Sequence, residues 1–436
     1  MPVTAYWAEL AYVDGRVAER VRLDVADGLF AAVTPDSPPD EAIRLPGLTI
    51  PGFANGHSHA FHRALRGRGG GGTFWHWREQ MYELAERLTP ENYLALARAV
   101  YAEMLLAGYT SVGEFHYVHH GPDGVPYADP NVMSAALVQA AVESGIRLTL
   151  LDTCYLAGGI GVPLSPVQRR FSDGDAEAWG ARAAAFRPRS ARVRLGAAIH
   201  SVRAVPVVEL PVVGSVARQR GLPLHVHVSE QFTENEDCRH AYHQTPTTLL
   251  ASAGVLGPRT TAVHATHVEP ADFPLLVTGF VCICPTTERD LADGIGPARG
   301  LAAAGAQLTL GSDGHSVIDP FEEMRAIELD ERLRSGRRGS FSPTDLLGIG
   351  AGHASLGWPE AGRIAPGALA DTVTVDLVGP RLAGIDDPLA AVVFAGTAAD
   401  VTQVVVGGRQ VVRDGHHLLL DDVPGALRDG IAGVLR

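Results

Sequence analysis

The chain has 436 residues, of which 46% are hydrophobic and 19% charged, so it is too long and too apolar to be disordered and can bury a full core. A formal charge of −13 argues against nucleic acid as a partner, because phosphate binding rests on clustered cations. Lysine is absent and all 36 cationic side chains are arginine, which excludes a Schiff-base lysine, a phosphate-loop lysine and a carboxylated lysine bridging two metals.

The stretch from Met1 to Glu9 has neither a basic segment nor an apolar core, so no signal peptide is expected and a cytoplasmic location is. No apolar stretch approaches the ~18 residues of a membrane helix. The four cysteines, Cys154, Cys238, Cys282 and Cys284, form no CxxC pair, and the last two read as neighbours on one face of a strand.

In chain order, residues 1–45 are short Val/Leu/Thr strands broken by turns such as Asp14-Gly15. From residue 46 to about 316, within an expected barrel domain of residues 46–365, apolar β-branched runs alternate with Ala/Leu/Arg/Glu-rich helical stretches. The expected strands are Leu48 to Ala54, Ser111 to Tyr117, Leu148 to Cys154, Val193 to Ile199, Leu224 to Val228, Thr261 to His267, Phe280 to Cys284 and Gln307 to Gly311. Eight parallel strands with helices between them imply an α/β fold, a closed (β/α)8 barrel with its active site at the C-terminal ends of the strands. Between the first two strands, Gly69-Gly70-Gly71-Gly72 reads either as a loop at the barrel mouth or as a plain connector. Residues 366–436 return to short strands, with a turn at Gly407-Gly408, and are expected to join residues 1–45 in a small antiparallel β-sandwich domain.

His57 and His59 follow the first expected strand, and an i, i+2 pair in extended chain points both imidazoles the same way. Alone, such a pair is weak, since 18 histidines produce some by chance. It gains weight because His227, His264 and Asp313 fall at or near the ends of other strands. Nitrogen and oxygen ligands without cysteine suit one divalent metal, zinc or iron, with an open position for a water whose pKa falls to about 7. Glu230, three residues after His227, is placed to carry protons, or is an ordinary solvated loop carboxylate. His264 competes with His267 for the functional position, and alternation turns the two to opposite faces.

Pro51 to His59, His227, His264, Gly311-Ser312-Asp313 and Gly362 to Asp371 together resemble the amidohydrolase superfamily over nearly the whole chain. The resemblance implies a metal held by His57, His59, His227 and Asp313, with Glu230, His264 and Asp313 catalytic. The absence of lysine removes the carboxylate-bridged binuclear members and leaves the mononuclear deaminases. Within these, five segments resemble the formimidoylglutamate deiminases: His57 to Phe61, Phe74 to Glu79, Glu114 to His120, His225 to Gln231 and Val263 to His267. That family implies hydrolysis of N-formimidoyl-L-glutamate to the N-formyl compound and ammonia in histidine degradation. It implies a small dicarboxylate substrate held by His62, Arg78, Tyr117, His200 and Arg203, and a homodimer. Arginine's planar fork suits two carboxylates, although any one of 36 arginines is more simply a surface residue. One departure is His62, where that family often has glutamine; histidine can still donate a hydrogen bond to a carboxylate. The alternatives are a deaminase or chlorohydrolase of an aromatic heterocycle such as guanine, and an inactive scaffold paralogue.

Overall fold

The computed structural model describes residues 4–68, 71 and 73–436, so three of the four glycines of the 69–72 run lie outside the described residues. Among the described residues sixteen strands form two sheets of eight. The chain opens with β1 (Thr4–Val13), β2 (Arg16–Ala26), β3 (Leu29–Thr34) and β4 (Ile43–Pro51). The barrel follows as β5 (Phe53–Ser58), β6 (Tyr109–His116), β7 (Arg147–Cys154), β8 (Val193–Ser201), β9 (Leu224–Val228), β10 (Thr260–His264), β11 (Phe280–Ile283) and β12 (Gln307–Leu310). The chain ends with β13 (Thr372–Val375), β14 (Val401–Val406), β15 (Arg409–Arg413) and β16 (His416–His417).

The terminal strands form one mixed sheet in the order β16-β15-β14-β13-β4-β1-β2-β3. Its neighbours pair antiparallel, as expected, except β1 and β4, which are parallel. The expected strand Leu48 to Ala54 is the end of β4 and the start of β5, which belong to different sheets. Gly52 makes the break: its N–H donates to Asp371 O at 3.0 Å, and a Cβ there would meet the Thr110 side chain at 2.3 Å.

The barrel strands are parallel and neighbour one another in chain order, and most of their residues are buried on both faces. Helices between them carry local stop and start signals. In Pro90–Ala107, Thr89 and Asn92 form a reciprocal cap, proline stands in the first turn, and Gly108 ends the helix at φ +104°. The ring closes between β5 and the extension of β12 through a parallel bridge between Ser58 and Asp313. There Asp313 N–H donates to His57 O at 3.0 Å and His59 N–H donates to Asp313 O at 3.3 Å.

No helix among the described residues is long and apolar enough to cross a membrane. Cys282 and Cys284 pack with Val263 as a small buried cluster and form no disulfide.

Candidate active site

The strand ends converge on the residues singled out by sequence. Past β9, β10 and β12 the chain turns through non-glycine residues with positive φ: Ser229 at +50°, His264 at +69°, Ala265 at +52° and Asp313 at +39°. Such conformations are costly and persist only where the surroundings hold them. Here neighbouring strands do so, with Ala265 N–H donating to Val228 O at 3.1 Å and His267 N–H to Ser229 O at 2.9 Å.

His59 Nδ1 lies 3.0 Å from Phe115 O, and His227 Nδ1 lies 2.7 Å from His200 O. A carbonyl only accepts, so each Nδ1 carries the proton and each Nε2 presents a lone pair. Those lone pairs turn inward. His227 Nε2 is 3.0 Å from His57 Nε2, and Asp313 Oδ1 is 3.3 Å from His57 Nε2 and 3.5 Å from His59 Nε2. Burial pushes the His59 imidazole down to about 3 and holds His57 and His227 well below the usual range, so all three are neutral donors. The same burial pushes Asp313 up to about 7 against the pull of His264.

Electron-pair donors crowded around a carboxylate repel one another unless a cation joins them. Donors about 2.0 to 2.1 Å from one tetrahedral zinc lie about 3.3 Å apart, close to three of the spacings here, 3.0, 3.3 and 3.5 Å. The cluster therefore fits a divalent ion, and three overlapping groups have donor atoms close enough to hold one: His57 with His59 and His227, His57 with His264 and Asp313, and His59 with His62 and Asp313.

His264 sits beside that cluster. Its Nε2 is 3.8 Å from both Asp313 Oδ2 and Glu230 Oε1, and its Nδ1 is 3.5 Å from Glu288 Oε1. Burial disfavours its charge, but Glu230, Glu288 and Asp313 outweigh it and push the imidazole up to about 10. His267 turns away to Asp293 O at 2.8 Å, so of the two histidines it is His264 that lies beside the cluster. Glu230 is buried, and its Oε2 accepts a 2.8 Å hydrogen bond from Arg203 Nη2.

Above the cluster lies an open cavity. Its wall includes His62, Arg78, Tyr117, His200 and Arg203 together with His59, His227, Glu230 and Asp313. His62 Nε2 meets the Tyr117 hydroxyl at 3.2 Å, and His200 packs edge-on against Tyr155 with ring centres 4.4 Å apart. Arg78 lies over the Trp75 ring at 4.4 Å and has no ion-pair partner among the described residues. Arg203 is shared between two carboxylates, Glu230 and Glu234, with Nε 3.2 Å from Glu234 Oε2.

Sequence reasoning missed Glu288, Glu234 and Glu114. Glu288 accepts from Cys284 N–H at 2.9 Å and orients His264. Glu114, fully buried and pushed up to about 7 by that burial, accepts from Ser58 Oγ and Ala60 N, both at 2.7 Å, and so grips the chain on either side of His59. Each is a carboxylate in an apolar setting, a signal visible in the sequence but without a partner assigned to it.

The amidohydrolase family profile matches residues 48–411. Formimidoylglutamate deiminase from Pseudomonas aeruginosa is 39% identical over 95% of this chain and 96% of its own length. The crystal structure of an amidohydrolase from Brucella melitensis superposes with a TM-score of 0.90 at 32% identity, covering 99% of this chain and 100% of that one. An adenosine deaminase from Xanthomonas campestris, solved with bound zinc, shares the fold at a TM-score of 0.87 and 21% identity over 99% and 97% of the two chains. With its barrel, its converging strand-end ligands and this match over most of its length, the chain belongs to the amidohydrolase family.

Proposed function

We propose that the chain hydrolyses N-formimidoyl-L-glutamate to N-formyl-L-glutamate and ammonia, using one divalent metal held by His57, His59, His227 and Asp313, with zinc the first candidate and iron the second. The observation that carries this reading is the cationic wall of the cavity: Arg78, without an ion-pair partner among the described residues, faces the same space as the ligand cluster. A guanidinium there suits a substrate carboxylate. The relative named formimidoylglutamate deiminase supports the same substrate.

A divalent cation at this site would polarise the reacting group and bring a water's pKa to about 7. Asp313 accepts a proton as the water oxygen bonds to the formimidoyl carbon. His264, equidistant from Asp313 and Glu230, steadies the species between them. Glu230 delivers protons to the imine nitrogen, so both hydrogens of the water end on the nitrogen that leaves as ammonia. Arg78 and Arg203 hold the carboxylates, with Tyr117, His62 and His200 shaping the space between.

The aromatic lining of Trp77, Tyr82, Tyr117 and Tyr155 favours a second reading, a deaminase of a flat heterocycle such as guanine. A coupled ammonia-release assay decides between them. Turnover of N-formimidoyl-L-glutamate well above that of guanine is expected; the reverse order replaces the first reading with the second.

A further inference from the structure

Glu234 stands in the first turn of the helix Phe232–Tyr242 and is 1% exposed. A carboxylate so deeply buried is costly unless both oxygens are engaged. Its Oε1 accepts from Ser229 N–H at 3.0 Å, and its Oε2 lies 3.2 Å from Arg203 Nε. Ser229 is the left-handed residue that turns the chain out of β9 and aims Glu230, while Arg203 is the cation that touches Glu230. One side chain thus grips both supports of the same acid.

The geometry also limits what Arg203 can do. A guanidinium has five N–H groups in a fixed fork and would close on a lone carboxylate through two parallel bonds. Drawn toward Glu234 by an ion pair at 3.2 Å on its Nε side, Arg203 meets Glu230 through Nη2 alone. The other oxygen of Glu230 stays toward His264, and the remaining Nη1 edge is left for the cavity that Arg203 lines.

We propose that Glu234 is a positioning residue, whose charge draws Arg203 to its side and whose other oxygen holds the Ser229 turn by its N–H, so that Arg203 serves a substrate carboxylate without clamping Glu230. The inference rests on the proposed deiminase reading for its substrate, but not for its logic. Without the Glu234 charge, Arg203 collapses onto Glu230, and both the grip on substrate and the freedom of the acid suffer.

The test is a double-mutant cycle on the metal-loaded full chain with Glu234→Gln, Arg203→Met and the pair. Glutamine can still accept from Ser229 N–H, so the fold is kept and the charge is lost. Glu234→Gln should lower kcat/KM by about 10-fold to 100-fold in the wild type, but by less than about 3-fold in the Arg203→Met background. Calorimetric titration with glutarate should show weaker binding to Glu234→Gln at unchanged metal content. Glu234→Asp, which keeps the charge one methylene short, should fall between glutamine and wild type, and its own cycle with Arg203→Met serves if the glutamine variant does not fold. Equal losses in both backgrounds, or a glutamine variant as active as the aspartate one, overturn the proposal. The cycle is read on whichever substrate wild type turns over, so failure on N-formimidoyl-L-glutamate counts against the deiminase reading and additivity counts against Glu234.

Discussion

Two buried clusters of histidine and aspartate lie at the C-terminal ends of barrel strands, and only one is built for a metal. In the first, His57 and His59 lie against Asp313 and His227 against His57, no arginine enters, and the one charged imidazole, His264, stands beside the carboxylate at 3.8 Å. In the second, His119 and His120 lie near Asp152 and Asp173, but Arg182 reaches into the middle. Its Nη2 and Nη1 grip Asp152 at 2.8 and 2.9 Å while its Nε holds Asp173 at 2.8 Å. Burial pushes up both Asp313 and Asp152, yet Asp313 ends near 7 and Asp152 ends below its ordinary value, because Arg182 outweighs burial there. Residue types alone do not mark a metal site. What marks it is a carboxylate ringed by neutral imidazole lone pairs with no guanidinium seated among them.

Removing the carboxylate from each cluster gives the largest contrast. Asp313→Asn should lose metal and activity together, with metal affinity falling by more than the roughly 10-fold to 100-fold typical of a residue that only orients a ligand. Asp152→Asn should keep close to one equivalent of zinc or iron by elemental analysis. Metal loss from the second variant, or two strongly held ions in the wild type, would erase the distinction.

Next comes the internal cation. Arg182→Met strands Asp152 and Asp173 as buried charges and should cost about 3 to 5 kcal/mol of stability. Urea unfolding measures it, and metal content at low denaturant should not change. A variant as stable as wild type would show that Arg182 is not the counterion that separates the clusters.

Acid should then weaken the second cluster. Burial and Arg182 push His119 down to about 4, from 6.5 for a free imidazole, so the folded state favours its neutral form. That contribution is complete above pH 6.5 and is lost as pH falls from 6.5 through about 4, up to about 3 kcal/mol in all. Urea midpoints of Asp313→Asn at pH 7 and pH 4.5 isolate the effect from acid release of metal. Adding His119→Gln should reduce the difference, the other buried histidines keeping the rest, and an equally steep pH dependence in that double variant would clear His119.

The smallest effect belongs to the cavity wall. Arg78→Met should lower kcat/KM for N-formimidoyl-L-glutamate by about 10-fold to 150-fold, a contact of roughly 1.5 to 3 kcal/mol, and leave the metal in place. A neutral diamide analogue should be a poor substrate for both enzymes, with little difference between them.

Legibility followed the range of the interaction. His57 and His59 could be read from two-residue spacing in extended chain, and Leu224 to Val228 coincides with β9 because alternation and a turn bounded it. The strand at 48–54 was misread as one element because Pro51 and Gly52 interrupt an apolar run without changing its composition. Arg203 was legible as a cavity arginine but not as the partner of Glu230, 27 residues away, or of Glu234. Glu288 orients a histidine 24 positions earlier in the chain, and no period in the sequence reports such a pairing.

The closure of the barrel has a mechanical side. Its first and last strands meet through one β-bridge, Ser58 to Asp313, and the hydrogen bonds of the Asn55 side chain with Ser312, and the candidate ligands sit on both sides of that join, His57 and His59 on one edge and Asp313 on the other. An ion seated among them is therefore a clasp across the open hoop as well as a reagent. By mass action its binding free energy is added to that of the closed ring, so the hoop tightens as the free metal concentration rises.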